Sequence, residues 1–432
     1  MRRITRRTRW LARGRGASSN FRAVAALVVA VALVAAGSPP AGAQRGDGHG
    51  GDRATHADCA GRLADRDTVS LRRVREHINV PADGPTGTGV GVAVIDTGIN
   101  AVAGLRDDGK IVDGPDLSLD ARHPELRHRD LYGHGTNMAE IIAGTGSASG
   151  AGVAPGAHLI NSKVGAGDGA VDASQVIAGI DWVVAHRDRY GIRVLNLSFG
   201  TDAGHSYRLD PLAHAVENAW RAGIVVVVAG GNDGRGARRL ENPAINPSVI
   251  AVGASTRSNR TVAPWSSTGD RVRHPDLVAP GEAVLSAGVP GSYLATTYPD
   301  ATCVDGDGAL LLRGSGTSQS AAVVSGAVAV LLEQRPDLTP DQVKHLLTST
   351  AVPLASNTSQ TGHGRLDLGA ALAADSPGST AAQLHARSGA RSGAPWSGAT
   401  WSGATWSGAT WSGATWSGAT WSGATWSAVG WE

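Results

Sequence analysis

Three residues of this chain have the types and local settings that serine-based acyl chemistry needs. Ser318 lies in a glycine-rich turn before a stretch of small apolar residues, so a helix beginning there would place unpaired N–H groups beside its hydroxyl. His134 follows Gly133 at the start of a second such stretch, and Asp96 ends an apolar, β-branched run. Because serine is a weak nucleophile alone, Ser318 would attack, His134 would move the proton and Asp96 would orient the imidazole.

The elements that must position these side chains alternate between strands and helices. Continuously apolar runs predict buried strands over residues 90–95, 158–164, 193–197, 224–229 and 249–253. Amphipathic or small-residue segments predict helices over residues 173–187, 211–221, 318–333 and 339–348, and a short helix over 69–78. This alternation predicts a three-layer α/β sandwich with a mainly parallel central sheet.

The predicted sheet also indicates where a site would form. Open parallel sheets bind ligands at the carboxyl ends of their strands. Asp96 lies at the end of the first strand, and Asn232 follows the strand predicted over residues 224–229. We therefore expect both side chains to face one cleft, together with His134 and Ser318.

Several motifs of the chain resemble those of the subtilisin-like serine peptidases, the subtilases. The three main ones occur in the order Asp, His, Ser, as Val94-Ile95-Asp96-Thr97-Gly98, Gly133-His134-Gly135-Thr136 and Gly316-Thr317-Ser318. Shorter matches are Gly152-Val153-Ala154-Pro155, Asn196-Leu197-Ser198-Phe199-Gly200, Ile250-Ala251-Val252-Gly253-Ala254 and Pro275-Asp276-Leu277-Val278-Ala279-Pro280-Gly281. The resemblance covers roughly residues 89–370 and implies a subtilisin-like fold.

The resemblance also implies roles for further residues. Asn232 would donate to the oxyanion, together with the backbone N–H of Ser318. One side of the substrate cleft would be the strand Ser198, Phe199 and Gly200, and the opposite edge would contain Gly167 and Gly169, so that substrate binds as an added β-strand. Structural calcium would be in keeping with such a family, but no segment has a convincing ligand run, and Asp305-Gly306-Asp307-Gly308 is predicted to be a loop.

The segment after the nucleophile departs from the family pattern of Met, small residues and then Pro-His. Here Gln319 follows Ser318, and Ala322 and Val323 stand where Pro-His is usual. Ala322 has a backbone N–H that proline lacks, so the start of the helix could differ slightly. We expect an active enzyme, with a lowered rate if the attack geometry shifts.

The N-terminal region resembles an export signal. An arginine-rich start precedes an apolar run over residues 23–36 and the small-residue segment Ala41-Gly42-Ala43. We interpret residues 1–43 as a secretory signal peptide; the alternative is an uncleaved anchor, for which the apolar run is short. The chain contains two cysteines, Cys59 and Cys303, which either form one disulfide or remain separate thiols.

The C-terminal region is a low-complexity tail. The sequence Trp-Ser-Gly-Ala-Thr recurs with tryptophans at 396, 401, 406, 411, 416, 421 and 426, and another tryptophan is at 431. A period of five matches neither a helix stripe nor one face of a strand. Three interpretations stay open: the rings contact the cell envelope, the tail self-associates or docks on the protein's own surface, or it is an unfolded extension.

The predicted organisation is a signal peptide (1–43), an N-terminal arm that packs on the domain (44–88), a peptidase domain (89–372), a linker (373–395) and the tail (396–432). The net charge of +2 argues against a nucleic-acid partner. The favoured function is a secreted, or envelope-associated, serine endopeptidase acting on proteins or peptides, with no cofactor required for its chemistry. The alternative is a weak or inactive peptide-binding protein that the tail attaches to the envelope.

Overall fold

A computed structural model provides the structure of the protein. It describes Cys59 and Thr425–Trp426 and five longer stretches, residues 68–201, 206–237, 239–270, 273–356 and 358–377. The predicted signal peptide and nearly all of the predicted linker and tail lie outside the described residues. Among the helices that the structure describes, none has the length and hydrophobicity of a membrane span.

The strands form two main sheets and one small ladder. They are β1 (Val69–Ser70), β2 (Gly91–Asp96), β3 (Ile111–Asp116), β4 (His158–Lys163), β5 (Ile192–Leu197), β6 (Phe199–Gly200), β7 (Val225–Ala229), β8 (Ile250–Ser255), β9 (Leu277–Pro280), β10 (Val284–Ala287), β11 (Thr302–Val304), β12 (Leu310–Gly314) and β13 (Thr425–Trp426). The main sheet has seven strands in the order β3-β4-β2-β5-β7-β8-β9, and all its neighbours are parallel. A second sheet has the order β1-β10-β12-β11, and β13 pairs with β6.

Helices flank the main sheet. They are α1 (Leu71–His77), α2 (His134–Ala143), α3 (Ala173–His186), α4 (Pro211–Arg221), α5 (Tyr293–Thr297), α6 (Thr317–Gln334), α7 (Pro340–Ser349), α8 (Thr358–Thr361) and α9 (Leu368–Ala373). Short 3-10 helices occur at Leu119–Arg122, Pro124–Leu126, Tyr207–Leu209, Gly234–Gly236 and Pro299–Ala301. The predicted α/β sandwich with a mainly parallel sheet is confirmed.

Local sequence explains why the central elements form where they do. Strand β7 is Val-Val-Val-Val-Ala and wholly buried, as expected for a strand covered on both faces. Helix α6 consists mainly of small and apolar residues and is buried from Thr317 to Leu332. It packs along β5, β7, β8 and α2. Capping boxes at Asp172 and Thr339 fix the starts of α3 and α7.

The structure contains elements that the sequence patterns did not predict. Strands β3 and β9 are the outermost strands of the main sheet. In the second sheet, β1 and β10 form a parallel pair, with Val69 opposite Val284. The helix predicted over residues 69–78 is shorter and begins at Leu71, because Ser70 accepts a hydrogen bond from the N–H of Arg73 as an N-cap.

The described part of the arm packs on the domain. Leu71, Val74 and Ile78 are buried in the main core. Cys59 and Cys303 form a disulfide with a Cα–Cα separation of 4.9 Å, which joins the arm to β11. Of the two arrangements left open for the cysteines, the paired one is confirmed, and in the chain-entropy view such a long loop contributes on the order of 5 kcal/mol.

Candidate active site

Asp96 and His134 form a buried pair at the carboxyl edge of the main sheet. Asp96 is the last residue of β2, and its Oδ1 lies 2.7 Å from Nδ1 of His134, the first residue of α2. The backbone N–H of Thr97 donates to the same Oδ1 at 2.8 Å. Because the carboxylate contacts Nδ1, it favours the tautomer with the proton on that nitrogen and directs Nε2 away from Asp96.

A second carboxylate, Asp130, holds the start of α2. Asp130 is fully buried and accepts hydrogen bonds from the N–H groups of Gly133 (2.6 Å) and Thr136 (2.8 Å) and from Oγ1 of Thr97 (2.8 Å). Burial raises the pKa of Asp130, while these hydrogen bonds oppose the rise. Sequence reasoning assigned this residue no role, although an acidic residue just before a predicted helix is a capping signal.

The turn before His134 requires glycine. Gly133 has φ of +103°, a backbone conformation that residues with a Cβ rarely adopt, and a Cβ placed there would lie 2.7 Å from Oγ of Ser292. Together with Asp130, this turn fixes the direction in which the His134 ring leaves the helix. The Gly-His-Gly motif is therefore a positioning device.

Ser318 lies in the first turn of α6 and is fully buried. Its hydroxyl donates to the backbone oxygen of Ser198 at 3.4 Å, and the hydroxyl of Ser198 donates to the backbone oxygen of Ser318 at 3.3 Å. Ser198 directly follows β5, the strand beside β2. Reciprocal bonds thus hold the nucleophile candidate at the same sheet edge as Asp96.

Asn232 is held by the residue before Ser318. Its Oδ1 accepts from the backbone N–H of Thr317 at 3.0 Å and from Oγ1 of Thr317 at 3.2 Å. The N–H of Gly231 in turn donates to Oγ1 of Thr317 at 3.1 Å. With its oxygen fixed in this way, the amide has its Nδ2 group left to act as a donor. Thr317 is part of the Gly316-Thr317-Ser318 motif, but the motif alone gives no sign of this bridging role.

The predicted site residues therefore converge from three neighbouring strands. Asp96 ends β2, Ser198 follows β5, and Asn232 comes three residues after β7. The helices that begin at His134 and Thr317 pack against each other. This placement is what the carboxyl edge of an open parallel sheet provides.

The predicted substrate-binding residues lie in two different settings. Phe199 and Gly200 form the short strand β6, directly after Ser198. Gly167 and Gly169 belong to a tight turn, in which the N–H of Gly169 donates to the oxygen of Ala166 at 2.9 Å. That turn packs on the side chains of Leu131 and Tyr132. The structure thus presents β6 as extended backbone and the two glycines as a closed turn.

Glu241 lies between strand β6 and the loop that contains Asn232. The sequence patterns did not identify this residue. A Cβ on Gly200 would collide with its carboxylate, and one on Gly231 would lie 2.8 Å from the same group. The N–H of Asn232 also donates to its Oε1 at 3.4 Å. The carboxylate therefore packs against both the strand β6 and the asparagine loop, which explains why both neighbours are glycine.

The residues after Ser318 that depart from the family pattern lie inside helix α6. Ala322 and Val323 are buried within α6, which begins one residue before Ser318 and continues unbroken. Gln319 is also fully buried, and neither atom of its amide has a hydrogen-bond partner among the described residues. This polar side chain beside Ser318 is unusual, because buried amides are normally hydrogen bonded.

The loop Asp305-Gly306-Asp307-Gly308 connects β11 and β12. Oδ1 of Asp305 accepts from the N–H groups of Asp307 (3.0 Å) and Ala309 (2.8 Å), so the carboxylate closes the turn, as predicted for a loop. Within the described stretches, no group of three or more His, Cys, Asp or Glu side chains is arranged to hold a metal ion.

Comparisons with known proteins identify the family of this chain. The subtilase family model, Peptidase_S8, matches residues 87–369. Serine protease AprX of Bacillus subtilis (strain 168) is 37% identical over 280 residues, which are 61% of this chain and 61% of that protein, so the chain spans less than two thirds of this relative. Subtilisin DY of Bacillus licheniformis is 34% identical over 281 residues, 64% of this chain and 89% of that protein.

A solved structure is similar as well. The crystal structure of a cold adapted subtilisin-like serine proteinase superposes with a TM-score of 0.53 and 29% identity, covering 66% of this chain and 91% of that one.

Proposed function

Because the chain belongs to the subtilase family of peptidases, we propose that it is a serine endopeptidase with Ser318 as nucleophile, His134 as general acid and base, and Asp96 as the orienting acid. The observation that carries this proposal is the 2.7 Å contact between Asp96 Oδ1 and His134 Nδ1 at the sheet edge that also holds Ser318. A buried carboxylate on Nδ1 is what a histidine needs to act through Nε2.

The proposed reaction proceeds through an acyl-enzyme. Oγ of Ser318 attacks the peptide carbonyl carbon while Nε2 of His134 takes the hydroxyl proton. His134 then gives this proton to the leaving amine as the C–N bond breaks. In the second half, water attacks the acyl carbon while His134 takes one of its protons. His134 then gives this proton to Oγ of Ser318 as the ester C–O bond breaks and the carboxylic acid product leaves. Asp96 stabilises the imidazolium in both halves.

The negative charge on the carbonyl oxygen needs fixed donors. We assign them to Nδ2 of Asn232 and the backbone N–H of Ser318. Thr317 holds the Asn232 oxygen, so the amide needs little rearrangement when the oxyanion forms. Removing the corresponding donor in subtilisin, a member of this family, costs on the order of 10²–10³ in kcat, and we expect a similar loss for Asn232→Ala.

Substrates of the proposed enzyme are proteins or peptides that add as a strand to β6. Main-chain hydrogen bonds to Phe199 and Gly200 would give affinity for many sequences, with Ser198 at the end nearest the nucleophile. Gly167 and Gly169 would line the opposite edge. The proposed chemistry uses protein groups alone and needs no cofactor.

Secretion is part of the same proposal. The sequence of residues 1–43 has the features of a signal peptide, and the Cys59–Cys303 disulfide suits an oxidising compartment. A relative named extracellular serine proteinase, from Thermus sp. (strain Rt41A), is 37% identical over 291 residues.

The test compares casein hydrolysis by the wild type, Ser318→Ala and Ser320→Ala. Ser320 is a matched control because it is buried in the same helix but donates to the oxygen of Ala279, away from the site. We expect Ser318→Ala to lose activity by at least ~10⁴-fold and to resist fluorophosphonate labelling, while Ser320→Ala retains both. A wild type that binds peptides but neither cleaves them nor reacts with the probe would refute the peptidase proposal.

A further inference from the structure

The predicted tail contacts the domain at the strand that the proposed function assigns to substrate. Strand β13, in the last Trp-Ser-Gly-Ala-Thr repeats, pairs antiparallel with β6. Thr425 lies opposite Gly200, and Trp426 lies opposite Phe199. The edge that would accept a substrate strand is therefore occupied by a segment of the same chain.

The direction of this pairing is the direction of a substrate. From Thr425 to Trp426 the tail passes from Gly200 to Phe199 and so runs toward Ser198, whose backbone oxygen accepts the hydroxyl of Ser318. A peptide whose residues before the scissile carbonyl pair with β6, and whose carbonyl lies beside Ser318, would run in this same direction. The tail thus enters as the amino-side strand of a substrate would.

The strand β6 is suited to hold such a segment. The side chain of Phe199 is fully buried and fixes the strand to the domain, while Gly200 has the carboxylate of Glu241 against its Cα. Affinity on an edge strand comes mainly from backbone hydrogen bonds, which tolerate small residues such as Ser, Gly, Ala and Thr. The tail supplies such residues without a charge from Trp396 to Trp431.

The repeat supplies further copies of the dipeptide that pairs with β6. The dipeptide Thr-Trp that pairs with β6 recurs at 400–401, 405–406, 410–411, 415–416, 420–421 and 425–426. Each copy can offer the same two residues in the same order. Residues 378–424 can reach well over ~100 Å when extended, so the connection does not prevent docking. A tethered ligand of this kind has an effective concentration on the order of 1 mM.

We propose that the Trp-Ser-Gly-Ala-Thr tail is an intramolecular ligand of β6 that competes with substrate for the cleft. This inference rests on the proposed function for its effect on catalysis, but the docking itself does not depend on it. The tail lowers the fraction of molecules with an open cleft and leaves the chemistry at Ser318 unchanged. Substrates must therefore displace it before they are cut.

The test uses full-length variants with six tail substitutions. In one, Thr400, Thr405, Thr410, Thr415, Thr420 and Thr425 are changed to Pro, which cannot donate to a ladder; in the matched control, the same residues are changed to Val. With a short uncharged peptide substrate, we expect the Thr→Pro variant to show a KM at least 5-fold lower than wild type at equal kcat. The Thr→Val variant should match wild type. Equal KM values in all three proteins would overturn the proposal.

A second measurement separates this inference from the peptidase proposal. In the Ser318→Ala background, backbone amide exchange of Phe199 and Gly200, the two residues that pair with β13, should be slow with the wild-type or Thr→Val tail and at least 10-fold faster with the Thr→Pro tail. This difference is expected whether or not the wild type cleaves peptides. Equal exchange in all three tails would refute the docking, and protection that grows with protein concentration would refute its intramolecular form.

A synthetic peptide provides the reciprocal arm. Ser-Gly-Ala-Thr-Trp-Ser-Gly added to the Thr→Pro variant should raise KM and leave kcat unchanged, as a competitive ligand does. The same peptide with Pro in place of Thr should have at least 10-fold less effect. Equal inhibition by both peptides would contradict pairing through the Thr-Trp backbone.

Discussion

Two buried aspartates at opposite ends of the parallel strands of the main sheet have very different surroundings. Asp96 ends β2 at the carboxyl edge, whereas Asp276 directly precedes β9 at the amino edge. Asp276 contacts the two terminal guanidinium nitrogens of Arg273 at 2.9 and 3.1 Å, Nζ of Lys344 at 3.0 Å and the N–H of Ala251 at 2.8 Å. Asp96 uses Oδ1 for Thr97 and His134, and its Oδ2 has no hydrogen-bond partner among the described residues.

The two settings fit two tasks. Burial alone would raise the pKa of Asp276, but Arg273 and Lys344 outweigh burial and hold this pKa well below its usual range. Burial also lowers the pKa of Lys344 to about 8, although Asp276 opposes this shift. Asp276 therefore stays ionised at the amino ends of the strands. At the carboxyl ends, the partner of Asp96 is the imidazole of His134, a group whose charge could form and disappear in each cycle of the proposed reaction.

The sharpest test of this contrast is Asp96→Asn. We expect kcat to fall on the order of 10⁴-fold, the size found when a serine peptidase loses this acid, because the imidazole is no longer held in its working tautomer. Stability should change by less than about 1 kcal/mol, since the asparagine oxygen can still accept from Thr97. Peptide hydrolysis and thermal unfolding measure the two effects. Equal activity of variant and wild type would remove Asp96 from the proposed triad.

Asp276→Asn should give the opposite result. It leaves Arg273 and Lys344 buried without their anion, so we expect a loss of about 3–5 kcal/mol in the free energy of unfolding. The kcat of the protein that remains folded should stay within about 2-fold of wild type, because the site lies at the other sheet edge. Urea unfolding in a Ser318→Ala background avoids self-digestion.

The matched control for that loss is Asp188→Asn. The Asp188 side chain is 91% exposed and pairs with Arg187, so its removal should cost less than about 0.5 kcal/mol. If the two substitutions had similar effects on stability, the cluster around Asp276 would not be the framework that we describe.

Glu140 is a third buried carboxyl group to compare with Asp96 and Asp276. It lies in α2, the helix that begins with His134, and is fully buried. Burial raises its pKa to about 7; hydrogen bonds from Ser147, Ser286 and Ala287 oppose the rise, and Asp305 adds to it. The folded protein therefore favours the protonated form. This contribution to stability is complete below the unfolded pKa of about 4.5 and is lost as pH rises through about 7.

We therefore expect Glu140→Gln to flatten the dependence of stability on pH. Between pH 5 and 8, the parent protein should lose about 2–3 kcal/mol relative to Glu140→Gln, as measured by urea unfolding in the Ser318→Ala background. The control Glu125→Gln, at a side chain that is 68% exposed, should leave the dependence unchanged. Parallel profiles for parent and Glu140→Gln would show that this carboxyl is not the source of the effect.

The same contrast explains what the sequence could predict. The strands β2, β5 and β7 are continuous apolar runs, so the central sheet and the position of Asp96 at its edge were predictable. The second sheet was not, because its strands are short and β1 pairs with β10 across more than two hundred residues. Local periodicity contains no information about such distant partners.

The site was predictable in its motifs but not in its supports. Asp96, His134 and Ser318 could be chosen as candidates from residue type and local setting, and the role of Asn232 from the resemblance to the subtilases. The bridging role of Thr317 and the cap formed by Asp130 depend on distances between segments that only the folded chain brings together. The tail offered even less, because a five-residue period selects no face and so indicates no partner.

The smallest expected effect tests whether the hydroxyl or the backbone N–H of Thr317 holds Asn232 in place. Thr317→Val removes the Oγ1 donor to Asn232 and the acceptor for Gly231, but the backbone N–H of residue 317 still holds the Asn232 oxygen. We therefore expect kcat to fall about 3–10-fold, equivalent to about 1 kcal/mol, with KM unchanged. Thr317→Ser, which keeps the hydroxyl, should stay near wild type. If Thr317→Val were as damaging as Asn232→Ala, the hydroxyl rather than the backbone N–H of residue 317 would orient the proposed oxyanion donor. A single contact would then control Asn232, in contrast to Asp276, which several contacts hold.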